Sequence, residues 1–155
     1  ENWSGSEKTA EKTLRYDEGT LEYSVEVDYL ANVVTKTWYN EKGLKKRVLS
    51  ESAAILIAET KYEYNEQDDV REKRVWTPGV REKWEYAYSE PEELAAETYY
   101  KNGALISKIE YIEDSTYYEY LYRNGEPFIK ITYINDEKVD ETLMIGSAGG
   151  VYETK

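Results

Sequence analysis

The sequence contains neither cysteine nor histidine. Without cysteine there can be no disulfide, thiol nucleophile, zinc–thiolate site or iron–sulfur cluster. Without histidine the chain also lacks the most common general base and pH-sensitive group. Few enzymes work with neither residue, so we predict a protein that is not an enzyme and holds no cofactor. The acidic segments 65–69 and 135–141 supply oxygen ligands but do not match the twelve-residue calcium loop, so we also predict no metal ion.

Basic residues are scarce relative to acidic ones, with 20 Lys and Arg against 32 Asp and Glu and a net charge of −12. Nucleic acids and anionic lipid surfaces attract faces rich in Lys and Arg, so neither is an expected partner. The longest apolar run, Ala53–Ala58, is far shorter than the roughly 20 residues that a transmembrane helix requires. We therefore predict no transmembrane segment, and the sequence leaves the oligomeric state open.

Phenylalanine and methionine are nearly absent, with one of each, whereas the chain has 17 tyrosines and four tryptophans. Tyrosine packs its ring while its hydroxyl keeps a bond to water or to a partner. A deep, dry core would favour Leu, Phe and Met, so this composition predicts a thin or partly wet core. Aromatic side chains in such numbers also favour strands over helices.

Apolar and polar residues alternate along several segments, which is the signature of a half-buried strand. In residues 21–29, odd-numbered positions carry Leu, Tyr, Val, Val and Tyr, and even-numbered positions carry Glu, Ser, Glu and Asp. The same alternation groups rings at positions 84–88 and 118–122, and aliphatic residues at 105–111 and 129–133. These segments are predicted to be strands.

A tyrosine precedes each of several turn signals rich in Asn, Asp and Gly, and these tyrosines are Tyr16, Tyr39, Tyr64, Tyr88, Tyr100, Tyr122 and Tyr133. Their spacings are multiples of about eleven to twelve residues, one strand plus one turn. Short turns between consecutive strands require antiparallel pairing. The predicted fold is therefore all-β, an antiparallel meander of tandem β-hairpins. The single sheet is either extended or curled, and it can also close toward a barrel or a sandwich.

Three segments divide the predicted chain. Residues 1–13 form a polar N-terminal tether, residues 14–145 a single β-hairpin repeat domain, and residues 146–155 a flexible C-terminal tail. Two stretches also have helical features. Residues 49–59 have helix propensity but favour a strand because of their β-branched isoleucines, and residues 89–97 allow a short helical turn after Pro91.

The turn pattern resembles YD-repeat sequences and the MORN-variant repeats of some bacterial proteins. The resemblance rests on three segments: RYDEGTLEYSVEV (15–27), WYNEKGLKKRVL (38–49) and YYKNGALISKIEY (99–111). Tyr64-Asn65 lacks the following glycine of the motif, and Tyr88-Ser89 lacks both motif residues. The resemblance implies an exported or cell-surface, lipoprotein-like bacterial protein whose repeats serve as a scaffold or a binding surface and bring no catalytic residues.

Aromatic side chains are the candidate binding residues. Two triplets of aromatic residues could form one flat platform: Trp84, Tyr86, Tyr88 and Tyr118, Tyr120, Tyr122. Trp38, beside the turn at Asn40, is a further candidate. Platforms of this kind stack on sugar rings or on peptide segments. We favour the alternative that these rings form the buried side of the sheet in place of Leu and Phe, because every strand needs an inner face and the chain has few other large apolar residues.

Carboxylate pairs such as Glu92-Glu93 and Asp68-Asp69 allow a third possibility, a glycoside hydrolase, although both pairs lie in turn segments. The favoured hypothesis is a non-enzymatic bacterial surface protein that scaffolds or binds a protein partner. A carbohydrate-binding module with an aromatic platform is the alternative, and the carboxylate-dependent hydrolase is the second alternative.

Overall fold

A computed structural model describes residues 2–4, 7–113, 115–144 and 152–154. In these ranges the chain forms fourteen strands and no helix. The strands are β1 (Asn2–Ser4), β2 (Glu7–Asp17), β3 (Thr20–Asp28), β4 (Val33–Tyr39), β5 (Lys45–Ser52), β6 (Ile55–Tyr64), β7 (Val70–Thr77), β8 (Val80–Glu90), β9 (Glu93–Lys101), β10 (Ala104–Glu113), β11 (Thr116–Arg123), β12 (Glu126–Ile134), β13 (Glu137–Met144) and β14 (Tyr152–Thr154).

The strands follow one another in a single sheet in chain order, and each described pairing is antiparallel, for example β2 with β3 and β11 with β12. The prediction of an all-β antiparallel meander is therefore confirmed. Contacts divide the chain into two compact units where a single repeat domain was predicted. Unit 1 comprises Glu1–Glu63 and Lys73–Val80, and unit 2 comprises Tyr64–Glu72 and Arg81–Lys155. Among the described strands, the first and last strands within each unit do not pair, so neither unit closes into a barrel.

The predicted ends of the repeat domain are corrected by the structure. The predicted tether of residues 1–13 includes most of β2, which begins at Glu7 and pairs with β3 from Ala10 onward. In the predicted tail, Tyr152–Thr154 forms β14 and pairs with β13, while residues 146–151 and 155 lie outside the described part of the chain. The polar composition at both ends hid these strands, because neither segment shows the alternation of apolar and polar residues from which strands were predicted.

Turns end the strands at the predicted positions and at further positions that the sequence signals missed. Asn102 and Gly103 both have positive φ, 50° and 84°, the conformation that a two-residue hairpin turn requires. Residues 49–59, predicted as one strand, are a hairpin whose turn is Ala53-Ala54, with φ of 49° and 63°. The possible helical turn at residues 89–97 is a strand end, a turn and the start of β9.

A β-bulge accompanies many of the repeated tyrosines. Register shifts occur next to Tyr16, Tyr39, Tyr88, Tyr122 and Tyr133. A bulge increases the local twist and bends the strand. The repeated Tyr–turn motif of the sequence is therefore a repeated strand end in the structure.

A deep core is absent from the residues whose burial is described. Leu49 and Ile131 are the buried apolar residues among them, and neither is below 8% exposure. Across the strands, Leu49 is flanked by Lys36 and Glu59. Ile131 is flanked in the same way by two glutamates of the neighbouring strands. Long charged side chains cover apolar surface with their methylene stems, which explains how these residues are shielded in a single sheet. No described ring is buried, so the interpretation of the rings as the buried side of the sheet is wrong, whereas the thin core predicted from the composition agrees with these exposures.

Candidate functional site

Trp38, a predicted binding residue, lies in unit 1 within a row of side chains that cross the sheet. The register aligns residues of β2 to β6 on one face, in the order Arg15, Tyr23, Trp38, Arg47, Lys61. The Arg47 guanidinium carbon lies 4.9 Å from the Trp38 ring centroid, and the Tyr23 and Trp38 centroids are 6.5 Å apart. Trp38 is therefore already contacted by a cation of its own sheet.

Unit 2 carries aromatic and aliphatic side chains on one side of β8 to β13, which we call the Trp84 face. Its first row reads Trp84, Tyr99, Ser107, Leu121, Ile129, Leu143 across the strands. Its second row alternates ring or aliphatic residues with glutamates: Tyr86, Glu97, Ile109, Glu119, Ile131, Glu141. All but the buried Ile131 are at least partly exposed, so the Trp84 face is a mixed apolar and anionic surface.

Ring pairs order the Trp84 face. Trp84 stacks on Tyr99 at a centroid distance of 5.0 Å, and Tyr117 stacks on Tyr133 at 4.7 Å. The Tyr99 hydroxyl donates to Glu82 at 2.6 Å, and this hydrogen bond, together with burial, raises the pKa of Tyr99 to about 12. Such pairs fix the rings in place, which lowers the entropic cost of contacting a ligand with them.

Tyr118, Tyr120 and Tyr122 lie on the opposite side of unit 2, which we call the Tyr120 face. Trp84 pairs with Tyr99 on β9, and the same row continues through β10 to Leu121 on β11. Leu121 is the neighbour of Tyr120 in sequence. Because adjacent residues of a strand point to opposite sides, the two predicted triplets cannot share one platform. The prediction of a single six-residue platform is therefore wrong, and whether either triplet binds anything stays a prediction.

Cations cover rings on the Tyr120 face. The Lys130 ammonium lies 3.5 Å from the Tyr118 centroid and 5.9 Å from that of Tyr120. The Lys83 ammonium lies 4.1 Å from the ring of Tyr100. Burial raises the pKa of the Tyr120 hydroxyl, and the Glu110 carboxylate raises it further. This side of the sheet is a network of internal contacts rather than an open platform.

A cleft of about 490 Å³ in unit 2 brings together two of the predicted residues with a turn, and we call it the Asn65 cleft. It is lined by Asn65, Gln67, Asp69, Arg71, Tyr86, Tyr88 and the segment 89–91. Tyr88 donates its hydroxyl to the Val70 carbonyl at 3.0 Å. Burial is the main cause that raises the pKa of Tyr88, and the nearby charges of Asp69 and Glu97 add to it.

The turn at Asn65 is held by its own side chain. The Asn65 Oδ1 accepts from the backbone N–H groups of Gln67 and Asp69, at 3.0 and 2.9 Å. Its Nδ2 donates to an Asp69 carboxylate oxygen at 3.2 Å. Asparagine forms such turns because its side chain mimics a backbone carbonyl, and here it fixes the carboxylate of Asp69 toward one wall of the cleft.

Asn65, Asp69 and Arg71 were missed as site residues, although the segment was predicted as a turn. No signal in the sequence pointed to this site, because about two hairpin strands separate the turn from Tyr86 and Tyr88 along the chain. Of the two carboxylate pairs considered for a hydrolase, Asp69 lines the Asn65 cleft, whereas Asp68 and Glu92 are exposed in turns, with φ of 70° and 64°. In the part of the chain that the structure describes, no three acidic side chains form a metal-binding group.

In the same described ranges, no helix has the length and hydrophobicity needed to cross a bilayer. No curated protein matches the sequence. The sequence model of one protein family matches residues 4–142, from the N-terminal strands to β13, and the description of that family is "Uncharacterised protein". The match spans most of the chain, and the chain belongs to this family.

Proposed function

We propose that the chain is a non-enzymatic β-repeat protein, exported to or displayed on the surface of a bacterium, that offers its sheet as a scaffold and as a surface for a protein partner. The observation that carries the proposal is the Trp84 face. It exposes rings and aliphatic side chains over six strands, although a monomeric protein normally keeps such surface small. The resemblance of the turn motifs to bacterial surface repeats supports the location.

The chemistry of the Trp84 face favours a basic partner. Glu97, Glu119 and Glu141 alternate with apolar residues along one row, and Lys138 forms an ion pair with Glu141 at the end of that row. A partner whose Lys and Arg residues alternate with apolar side chains complements this pattern. Burial of the apolar residues supplies about 25 cal/mol for each Å² removed from water.

Site-specific photo-crosslinking in the native cells tests the protein contact. A benzophenone amino acid at position 143 lies on the Trp84 face, and the same amino acid at position 142 lies on the other side of β13. We expect one major protein adduct from position 143 and little from position 142, with a yield that falls as salt is added. Equal adducts from both positions, or none from either, contradict the proposal.

Labelling of intact cells tests the location. A membrane-impermeant amine reagent should label exposed lysines such as Lys61 and Lys101 without lysis. Labelling that requires broken cells overturns the surface assignment while leaving the crosslinking result meaningful.

A further inference from the structure

We propose that the Asn65 cleft binds a neutral sugar ring, either a free sugar or a unit of a glycan. The inference goes beyond the protein partner proposed above, because Tyr86 is the one lining residue of the cleft that also belongs to the two rows of the Trp84 face. Its volume of about 490 Å³ lies within the usual range of small-ligand sites. Three properties of its lining select a sugar.

The first property is a pair of rings along one strand. Tyr86 and Tyr88 lie two residues apart in β8 and therefore on the same side of it. Both rings line the cleft and both are half-buried. A sugar ring has an apolar face of C–H groups that packs on an aromatic ring, and two adjacent rings can contact two such faces.

The second property is that the walls are fixed before any ligand arrives. The hydrogen bond from the Tyr88 hydroxyl to the Val70 carbonyl fixes the direction of that ring. The three hydrogen bonds made by the Asn65 side chain fix the turn, and one of them holds the Asp69 carboxylate. A site with few degrees of freedom loses little entropy on binding, which matters for a ligand as hydrophilic as a sugar.

The third property is the set of polar groups at the rim. Gln67, Asp69, Arg71 and Glu90 present an amide, two carboxylates and a guanidinium. These planar groups donate and accept hydrogen bonds in the directions that neighbouring sugar hydroxyls need. Two carboxylates against one guanidinium leave a net negative charge on the rim, which disfavours an anionic ligand, and a neutral sugar is compatible with it.

Unit 1 provides a matched control in a second cleft, which we call the Asn40 cleft. Asn40 holds its turn as Asn65 does, with Oδ1 accepting from the N–H groups of Lys42 and Leu44 at 3.0 and 2.9 Å. This cleft is smaller, about 350 Å³, and it has one ring, Tyr39. Its lining includes four carboxylates and no guanidinium or amine: Asp17, Glu18, Glu22 and Glu41. We expect no sugar binding there.

The test is an NMR titration of the ¹⁵N-labelled protein with D-glucose, D-galactose, D-mannose and N-acetyl-D-glucosamine, each at millimolar concentration. At least one sugar should shift the amide signals of residues 65–71 and 86–90 and leave those of residues 39–44 unchanged. Tyr86→Ala should weaken this binding by about tenfold or more. Tyr39→Ala, the control in the other cleft, should leave the binding unchanged.

Two further variants keep the test decisive if Tyr86→Ala does not fold. Gln67→Ala and Arg71→Ala change exposed side chains at the rim and should each weaken binding several-fold without loss of the folded spectrum. Shifts with none of the four sugars, shifts that Tyr86→Ala and both rim variants leave intact, or equal shifts at both clefts overturn the proposal.

A trisaccharide of the best sugar distinguishes the two sources of the ligand. Tighter binding of the trisaccharide than of the monosaccharide identifies a unit inside a glycan chain. Equal affinity identifies a free sugar or a terminal unit. Either result supports the proposal. If the monosaccharide binds and the trisaccharide does not, the ligand of the cleft is a free sugar.

Discussion

Units 1 and 2 stabilise the same kind of sheet with different aromatic contacts. In unit 1, two neighbouring rings are flanked by cations in one row, so that the Arg15 guanidinium carbon lies 5.7 Å from the Tyr23 centroid and that of Arg47 lies 4.9 Å from the Trp38 centroid. On the Trp84 face of unit 2, rings stack on rings, as in the pairs Trp84–Tyr99 and Tyr117–Tyr133.

The difference also extends to the other face of each unit. In unit 1 that face carries small hydroxyl residues, among them the buried Ser24 and Thr37, and Ser24 lies 3.3 Å from the Tyr39 hydroxyl. In unit 2 the corresponding face carries more rings, covered by Lys83 and Lys130. Unit 2 therefore has large aromatic side chains on both sides of its sheet.

The comparison teaches that a sheet without a deep core can be stabilised by contacts within its own faces. Cross-strand pairs contribute only about 0.2–1 kcal/mol each, but every strand adds several of them. A cation that lies over a ring covers a face that a ligand could contact. A ring that stacks on a neighbouring ring in the sheet keeps its other face accessible to a ligand. For this reason the candidate binding surfaces lie in unit 2.

The largest expected effect comes from the buried aliphatic residue of each unit. Ile131→Ala and Leu49→Ala should each lower the free energy of unfolding by about 2–3 kcal/mol, the lower part of the usual range, because water can fill the gap in a single sheet. Urea unfolding measures both losses. Ile55→Ala is the control, since Ile55 is 68% exposed and should change stability by less than about 0.5 kcal/mol.

If both substitutions cost no more than the Ile55→Ala control, shielding by charged side chains does not bury these residues in solution. A loss in one unit only would show that the two units bury their apolar residues by different means.

Substitutions of turn residues give the next largest effect, and we expect the change in stability to be a loss in unit 2 and a gain in unit 1. Gly103 of unit 2 has φ of 84°, and no atom lies within 4 Å of the position that a Cβ would occupy. Gly103→Ala should therefore lower the free energy of unfolding by about 1–2 kcal/mol through backbone strain alone. Ala54 of unit 1 has φ of 63°, so Ala54→Gly should stabilise by about 0.5–1 kcal/mol. Thermal unfolding measures both changes, and the same sign for both would contradict the observed turn conformations.

The two kinds of aromatic contact should differ in how their contribution to stability depends on salt concentration. Arg47→Met in unit 1 removes a cation over Trp38 and an ion pair with Glu59, and should cost about 1 kcal/mol at low salt and less at high salt. Trp84→Leu in unit 2 removes a ring stack and should cost about 1 kcal/mol beyond the loss of area, independent of salt. Unfolding at two salt concentrations checks both, and equal salt dependence would remove the distinction between the units.

The sequence predicted the fold far better than the site. Alternation and turn spacing were sufficient for an antiparallel meander, because both are local signals. The relative side of Trp84 and Tyr120 depends on three successive hairpins between β8 and β11, each with a register shift. A slip of one residue moves every side chain to the opposite face, so no local pattern reports which rings share a face. The Ala53-Ala54 turn was missed for a related reason, since alanine is not a typical turn residue.

Alkaline pH gives the smallest expected effect and reports on one contact of the Trp84 face. The hydrogen bond to Glu82 and burial raise the pKa of Tyr99 to about 12, from about 10 in an unfolded chain. The folded state thus favours the neutral phenol. This contribution to stability is complete below about pH 10 and is lost as the pH rises toward about 12.

Urea midpoints measured between about pH 9 and 12 check this decline. Tyr99→Phe should make it shallower but not abolish it, because burial also raises the pKa of Tyr88 and Tyr100 in the same unit. Glu82→Gln, which keeps the shape of the acceptor and removes its charge, should give a slope between those of the wild type and Tyr99→Phe. Identical slopes for all three proteins would mean that the Tyr99–Glu82 contact does not persist in solution, and the ring stack with Trp84 would then lack its anchor.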